Sequence, residues 1–321
     1  MRGVNLTVFD FDFDLTWVAF FLSPEEEVYG RYGGRDARSP DSLMSLAGLR
    51  HAMSKALAAH RRAGNTHASR SQQPPRTADQ YPAAQRRPAD ACIHCHHIYD
   101  FRREALQAEG KWRLDDLWVY PHPENIGLTL EVDQGDLVKA VAPNSPAGRI
   151  GLQTGDRLLR LNGVHVASLA DVQFGLQRAD ARSRVPVEWT RAEQAMSGLL
   201  TVAEGWRKTD ISWRWSLRGL EPSSWVHGED LTADEKKKLG LAEQQLAFYE
   251  GNFVSAPARQ AGIRQNDVIL GVDDKKLEMT AQQFQAYIKL NYKPGDRVTY
   301  NILRDGKRVD VPLRLVSRPP F

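Results

Sequence analysis

Both cysteines of the chain fall within six residues, Cys92-Ile93-His94-Cys95-His96-His97. Two thiols three residues apart, followed at once by an imidazole, form the attachment pattern of a c-type haem. The thiols bond the vinyl-derived carbons of the porphyrin, and the adjacent imidazole, here His96, is held against the iron. The same residues allow a zinc site made from Cys92, Cys95 and two of the three histidines. They also allow a reversible dithiol activated by its neighbouring histidines, or a pair that does no chemistry. Cys92, Cys95 and His96 are therefore the candidate cofactor residues, with haem c the first expectation and His96 the expected iron ligand. His122, in Tyr120-Pro121-His122-Pro123, is the nearest downstream candidate for the distal position. Covalent haem attachment takes place outside the cytoplasm. The expected location is thus periplasmic or otherwise extracytoplasmic, although the segment Val8–Asp14 (VFDFDFD) leaves no signal peptide visible at this start.

The elements that must hold such residues follow from composition. At roughly 150 residues per domain, 321 residues predict two or three domains. The balance of 43 Lys and Arg against 40 Asp and Glu gives a net charge of +3, too small to argue for nucleic acid. No apolar run approaches the length of a membrane span, and two cysteines cannot staple a small disulfide fold. From Arg61 to Ala91 the sequence turns to Ala, Arg, Gln, Pro and Ser and lacks large aliphatic residues. Such a stretch buries too little to offset its ordering entropy and is expected to be a flexible linker. Residues 92–117 then read as the cysteine segment followed by a helix over Tyr99–Trp112.

An internal repeat sets the rest of the architecture. Ser145–Gly163 (SPAGRIGLQTGDRLLRLNG) returns as Ala256–Asp274 (APARQAGIRQNDVILGVDD), with Ala147, Gly151 and Asp156 matching Ala258, Gly262 and Asp267. The prolyl turn starts a short helix, and each glycine ends it in a left-handed conformation. Each Asp is placed to accept backbone N–H groups of the following turn. Helices are expected over 169–179 and 280–290, and strands over 185–191 and 298–304. This order of strand, A-G-[LI]-x-x-x-D, strand, turn, helix and strand resembles a bacterial PDZ domain of the HtrA-type arrangement, with one copy over 118–204 and another over 205–318.

The resemblance implies a groove that adds an extended peptide as a strand, with an apolar-Gly-apolar loop holding its terminal carboxylate. In the first copy Ile126, Gly127, Leu128 and Leu130 carry that pattern. In the second, Leu217, Gly219 and Leu220 fit it, and Leu231–Gly240 (LTADEKKKLG) is expected to be a short helix with a solvated lysine face. The implied partners are C-terminal peptides or exposed strands of other proteins. Trp206, Trp213, Trp215 and Trp225 are expected to seal the two copies together.

Residues 1–60 resemble the C-terminal half of a thioredoxin-like fold. More narrowly, they resemble bacterial, mainly planctomycete, proteins that join a thioredoxin-like domain to PDZ domains, some with selenocysteine. The matching words are Phe9–Phe21 (FDFDFDLTWVAFF) and Val28–Gly34 (VYGRYGG), a hairpin leading into a helix over Ser42–His60 with Leu43, Leu46, Leu49, Met53 and Leu57 as its apolar residues. The redox Cys-x-x-Cys of that fold should precede the hairpin, and none precedes it here. Asp12-Phe13-Asp14-Leu15-Thr16 also fits the D-x-D-x-T of haloacid-dehalogenase-type phosphatases, but no acidic pair is placed to complete its magnesium site before the chain becomes low-complexity. The plainer reading is a strand with its carboxylates in water.

The fold class expected is therefore α+β: an incomplete thioredoxin-like fragment, a flexible linker with CxxCH, then two PDZ-like β-rich domains. No serine, histidine and aspartate stand in an arguable triad, so an HtrA-like protease is not expected. The expected function is a non-catalytic peptide-binding scaffold carrying haem or a dithiol. The alternative is a thiol-disulfide oxidoreductase whose PDZ domains recruit substrates.

Overall fold

The structure, a computed structural model, describes residues 1–63 and 74–317. The chain divides into two compact units, Met1–Thr209 and Asp210–Phe321, each with its own β-rich core. Strands and helices are mixed, as an α+β chain requires.

The first unit opens with irregular turns rather than with a strand. Phe11 and Phe13 are buried, and so are Asp12 and Asp14. Alternation fails to make a strand here because the intervening carboxylates are not in water. Asp12 Oδ1 accepts the Tyr99 hydroxyl at 3.0 Å and the Asp14 N–H at 3.2 Å, bonds that close turns. Phe11 and Phe13 share a core with Ala78, Tyr81, Ala84, Ile93, Ile98 and Phe101. The stretch expected to be a spacer thus splits. Residues 64–73 lie outside the described residues, whereas Ala78, Tyr81 and Ala84 are buried. Tyr81 supplies the large apolar side chain that the composition of this stretch seemed to lack.

Strands β1 (Ala19–Leu22) and β2 (Val28–Tyr32) form the expected hairpin, and α1 (Leu46–Ala63) follows it. Among the described residues the hairpin is a two-stranded sheet by itself, not part of a larger thioredoxin-like sheet. The buried face of α1 is Gly48, Ala52 and Ala56, while Leu46, Met53 and Leu57 are exposed. Close approach decides this. A Cβ at Gly48 would sit 2.4 Å from the Val132 carbonyl oxygen, so only small residues let the helix lie down on its neighbour. Next come α2 (Pro82–Gln85) and α3 (His97–Ala108).

The first repeat runs β3 (Leu128–Leu130), β4 (Val138–Val141), α4 (Pro146–Arg149), β5 (Arg157–Leu161), β6 (Val164–His165), α5 (Leu169–Gln177), β7 (Ser183–Arg191) and β8 (Gln194–Val202). β3 pairs with β4 in one sheet, and the other has the order β6-β5-β7-β8. Ile126, Leu128, Leu158, Leu161, Leu176 and Trp189 fill the core. In the second unit the same order recurs as β9 (Gly228–Asp230), α6 (Ala233–Lys238), β10 (Phe248–Glu250), α7 (Ala256–Ala261), β11 (Val268–Val272), α8 (Ala281–Asn291), β12 (Arg297–Arg304) and β13 (Lys307–Arg314). Its sheet has the order β13-β12-β11-β10-β9, around Phe248, Phe284, Tyr300 and Ile302. Lys236 of α6 does not lie on a solvated face; it is buried and donates through Nζ to the Glu243 carbonyl at 2.8 Å.

One clamp holds both repeats in the same way. Asp156 accepts the Gln153 N–H at 2.9 Å and Asp267 accepts the Arg264 N–H at 2.8 Å, as their position after the glycine predicts. Each carboxylate is also gripped on both oxygens by the last residue of the strand that closes the repeat. Arg191 reaches Asp156 at 2.8 Å twice, and Arg304 reaches Asp267 at 2.7 Å twice. The same guanidinium then donates to the carbonyl of the helix-ending glycine, Gly151 or Gly262. Helix end, turn and distant strand are thereby fixed by one ion pair.

Candidate peptide-binding grooves

In the first repeat the chain before β3 forms a 3-10 turn over Pro123–Ile126, ended by Gly127 at φ +77°. A side chain there would be strained by the backbone and blocked by Ser145, whose Cβ is 2.1 Å from where a Cβ would stand. Ile126 and Leu128, expected in a peptide pocket, instead face the core at 0% and 1% exposure. The Gly127 N–H is spent on the Glu124 carbonyl at 2.9 Å. What the repeat offers a ligand is the strand edge that follows. Among the described residues β3 pairs with β4 only, and no strand lies along its other side. Across from that edge stands α5, begun by the Ser168 cap. Between them lies a cavity of about 320 Å³ with Glu124, Leu130 and Val132 on one wall and Leu169 on the other. Of the four residues expected to line this groove, only Leu130 does. Burial pushes the Glu124 carboxyl above the usual range.

The chain entering the loop is pinned to α5 by two glutamines one turn apart. Gln173 donates to the Tyr120 carbonyl at 3.1 Å and Gln177 accepts the Tyr120 N–H at 2.7 Å. That spacing puts both amides on one helix face.

The second repeat places its groove elsewhere than Leu217-Arg218-Gly219-Leu220. Those residues form a 3-10 turn over Trp215–Gly219 with Leu217 and Leu220 buried, a conformation that exposes no strand edge. The loop that leads to edge strand β9 runs through Ser224, Trp225 and Val226. Trp225, at φ +63°, takes the left-handed position, and its carbonyl accepts the Ser255 hydroxyl at 2.6 Å. On α8, Gln285 bonds the Val226 carbonyl and the Ser224 hydroxyl, and Lys289 donates to the Leu220 carbonyl. The Ala281 N–H at the start of α8 donates to Asp230 Oδ1 of β9 at 2.7 Å. Side chains therefore bridge strand and helix where the first repeat keeps a cavity.

A PDZ domain family model matches residues 137–191, and a second PDZ domain model matches residues 253–315. Two stretches of this chain are PDZ domains. Over 226 residues the chain is 29% identical to a probable periplasmic serine endoprotease, DegP-like, of Ectopseudomonas mendocina, covering 67% of this chain and 46% of that protein. It is 24% identical over 183 residues to the periplasmic pH-dependent serine endoprotease DegQ of Escherichia coli, covering 55% and 38%. The solved HtrA-type protease AlgW with decapeptide aligns at 16% identity and a TM-score of 0.27, over 46% of this chain and 53% of that one. The chain spans less than half the length of these two curated relatives.

The homology to HtrA and DegP-type periplasmic proteases overturns the expected function. Neither a non-catalytic scaffold nor a thiol-disulfide oxidoreductase is what the relatives are; they are serine endoproteases. Their location does agree with the extracytoplasmic expectation, and no helix among the described residues is long and apolar enough to cross a membrane.

The cysteine segment does not fit a haem. Cys92 is exposed, and both it and Cys95 are free thiols. The His96 ring lies among those of His94 and His97, with centroids 5.9 Å and 4.3 Å away. The helix that follows turns Ile98, Tyr99 and Phe101 into the core. A porphyrin needs an open apolar slot beside its proximal imidazole, and here the apolar side chains of the following helix are buried in the core while two imidazoles stand beside the His96 ring. Burial lowers the His96 pKa, and burial with Arg87 and the neighbouring imidazoles brings that of His97 down to about 4. Nor, among the described residues, do His, Cys, Asp and Glu gather in threes that could hold a metal. His122, the distal candidate, is buried beside the first PDZ loop.

The tryptophans divide between the domains. Trp206 packs on the first PDZ core and Trp225 on the second. Trp213 is buried, and Trp215 is half exposed with the Arg218 guanidinium 3.5 Å above its ring.

Proposed function

We propose that this chain serves HtrA-type proteolysis outside the cytoplasm by reading client polypeptides with its first PDZ domain. An extended segment of a client pairs with the free edge of β3, places a side chain toward Leu130 and Leu169, and is thereby presented for cleavage. The observation that carries this reading is the unpaired β3 edge facing α5 across a cavity, in a chain whose curated relatives are serine endoproteases. Main-chain pairing tolerates many sequences. The mixed lining of Glu124, Leu130 and Leu169 supplies selectivity at one or two positions.

The test measures two things with the full chain. Labelled peptides of about ten residues are titrated by fluorescence anisotropy, and a denatured reporter is degraded by DegQ in the presence of the chain. Leu130→Arg puts a charge on the groove wall. The wild-type chain is expected to bind peptide and change the degradation rate, and the variant to lose both effects by at least tenfold. Binding by both proteins alike, or no binding and no effect on degradation, overturns the reading.

A further inference from the structure

The cavity beside β3 is closed by the chain itself. Opposite Leu130 and Leu169, its remaining wall is made by Tyr32, Gly33, Arg38, Ser42 and Leu43, which follow the N-terminal hairpin. These residues lie where a peptide added to β3 would run past the start of α5. We propose that residues 33–43 are a self-docked strap over the first PDZ groove, which admits a short peptide end beneath it and is displaced by a longer strand. This rests on the reading of the groove as a peptide site.

Two different kinds of contact support a strap rather than a fixed wall. Its base is fastened to α5. The Arg31 N–H donates to Asp171 Oδ1 at 3.0 Å, the Ser168 hydroxyl donates to the Arg31 carbonyl, and the Arg31 guanidinium lies 3.6 Å over the Phe174 ring. Asp171 is fully buried and also accepts the Ala167 and Ser168 N–H groups, so this end is not free to move. Past the base the chain passes through the buried Gly33 and Gly34, the first so close to the hairpin that a Cβ would lie 2.6 Å from the Trp17 carbonyl oxygen. The arch beyond is tied to itself. Asp36 accepts the Arg38 N–H at 2.8 Å, the Arg38 Nε at 2.7 Å and the Ser42 hydroxyl at 2.7 Å. Toward the groove the arch presents Leu43, which like Leu169 lies beside Gly34, where a Cβ would be 3.2 Å from each, and the Asp36–Arg38 pair, whose charges act on Glu124. The far end is held twice: by a bracket in which the Tyr32 hydroxyl donates to the Ser45 carbonyl and accepts the Ser45 N–H, both at 2.7 Å, and by the Ser45 hydroxyl, which donates to Asp133 Oδ1 at 2.6 Å.

Size makes the consequence specific. About 320 Å³ lies at the bottom of the roughly 300–1,000 Å³ of ordinary ligand pockets. A strand advances about 3.3 Å per residue, so pairing along β3 and on past the start of α5 requires the space that Ser42 and Leu43 occupy. The strap therefore acts as a length filter, and its opening lowers the apparent affinity for long strands by the fraction of time it is shut.

The experiment uses the full chain, a tripeptide and a ten-residue peptide sharing its last three residues. Tyr32→Phe with Leu43→Ala removes the bracket and the apolar contact without touching β3 or α5. Association of the ten-residue peptide is expected to speed up about tenfold relative to that of the tripeptide in this variant. Independently of any variant, hydrogen exchange at residues 33–43 of the wild-type chain is expected to accelerate when the ten-residue peptide is saturating and not with the tripeptide. Equal association rates together with unchanged exchange would overturn the strap while leaving the groove intact. Failure of wild type and variant alike to bind either peptide would sink the peptide-site reading and the strap with it.

Discussion

Where the first PDZ domain has Gly127 at φ +77°, the second has Trp225 at φ +63°. Where α5 carries Gln173 and Gln177, α8 carries Gln285 and Lys289 at the same distances from the capping residues Ser168 and Thr280. Val138 and Glu250 also correspond, since each donates its N–H to the carbonyl of the clamp aspartate, Asp156 or Asp267. Against these differences the Asp156–Arg191 and Asp267–Arg304 clamps are nearly superimposable in geometry. The frame is what the two copies must share to fold. The groove is where they have parted, one keeping a cavity and the other spanning it with hydrogen bonds.

The largest effect expected from breaking this comparison is at the loop. Gly127→Ala adds a Cβ that meets Ser145 and forces an alanine into the left-handed region, a loss on the order of 2–4 kcal/mol from the first domain. Trp225→Gly relieves the corresponding backbone strain in the second domain but gives up the Nε1 bond to the Val316 carbonyl and the packing of the ring on the second core, so its loss, on the order of 1–3 kcal/mol, comes from the side chain rather than the backbone. Native-state hydrogen exchange at core amides reads each domain separately. A Gly127→Ala loss no larger than that of an ordinary surface substitution would mean that the first loop does not need its glycine.

Next comes the buried carboxylate of the second domain. Glu250 is 1% exposed where the first domain has Val138, and burial pushes its pKa up to about 7. The folded chain then holds this proton far more tightly than the unfolded chain, whose glutamates titrate near 4.3. Stability from this group is fully present below about pH 4 and is lost as pH rises through about 7. The second domain should therefore melt lower at pH 8 than at pH 5. Glu250→Val should raise stability at pH 8 by on the order of 2 kcal/mol and flatten the profile. A pH profile in the variant as steep as that of the wild type would count against Glu250 as its source.

These positions also show how far residues alone could lead. The two domains were legible because a repeat of Ala-x-x-x-Gly and Asp specifies a turn chemistry that few folds share. The arginines of the clamp were not read, although both end a strand at matching places, since an ion pair across 35 residues leaves no local period. Leu217-Arg218-Gly219-Leu220 misled because an apolar-Gly-apolar triplet says nothing about φ, and the residue that did take the left-handed angle was a tryptophan. The cysteine motif was read as chemistry because a hexapeptide carries no sign that its neighbours are packed. Phe11 to Asp14 looked like an alternating strand because alternation cannot show that Tyr99, far along the chain, would bond Asp12. The strap was invisible for the same reason: nothing local in Tyr32 to Leu43 says that it will meet Leu130 and Leu169.

The smallest effect expected is the sharpest for the comparison itself. Gln285 spends its amide on the Val226 carbonyl and the Ser224 hydroxyl, bridging helix and loop across the second groove. Gln173 spends its own on the Tyr120 carbonyl, outside the first cavity. The same truncation should act with opposite signs. Gln285→Ala releases the second groove and should raise ten-residue peptide binding there about threefold to tenfold, tested in a chain whose first groove is blocked by Leu130→Arg. Gln173→Ala loosens the segment that carries the first loop and should weaken binding by a similar factor, about 1 kcal/mol for one hydrogen bond. If both substitutions weaken binding, the second groove already accepts peptides through the bridge, and the division between the domains lies in sequence preference rather than in access.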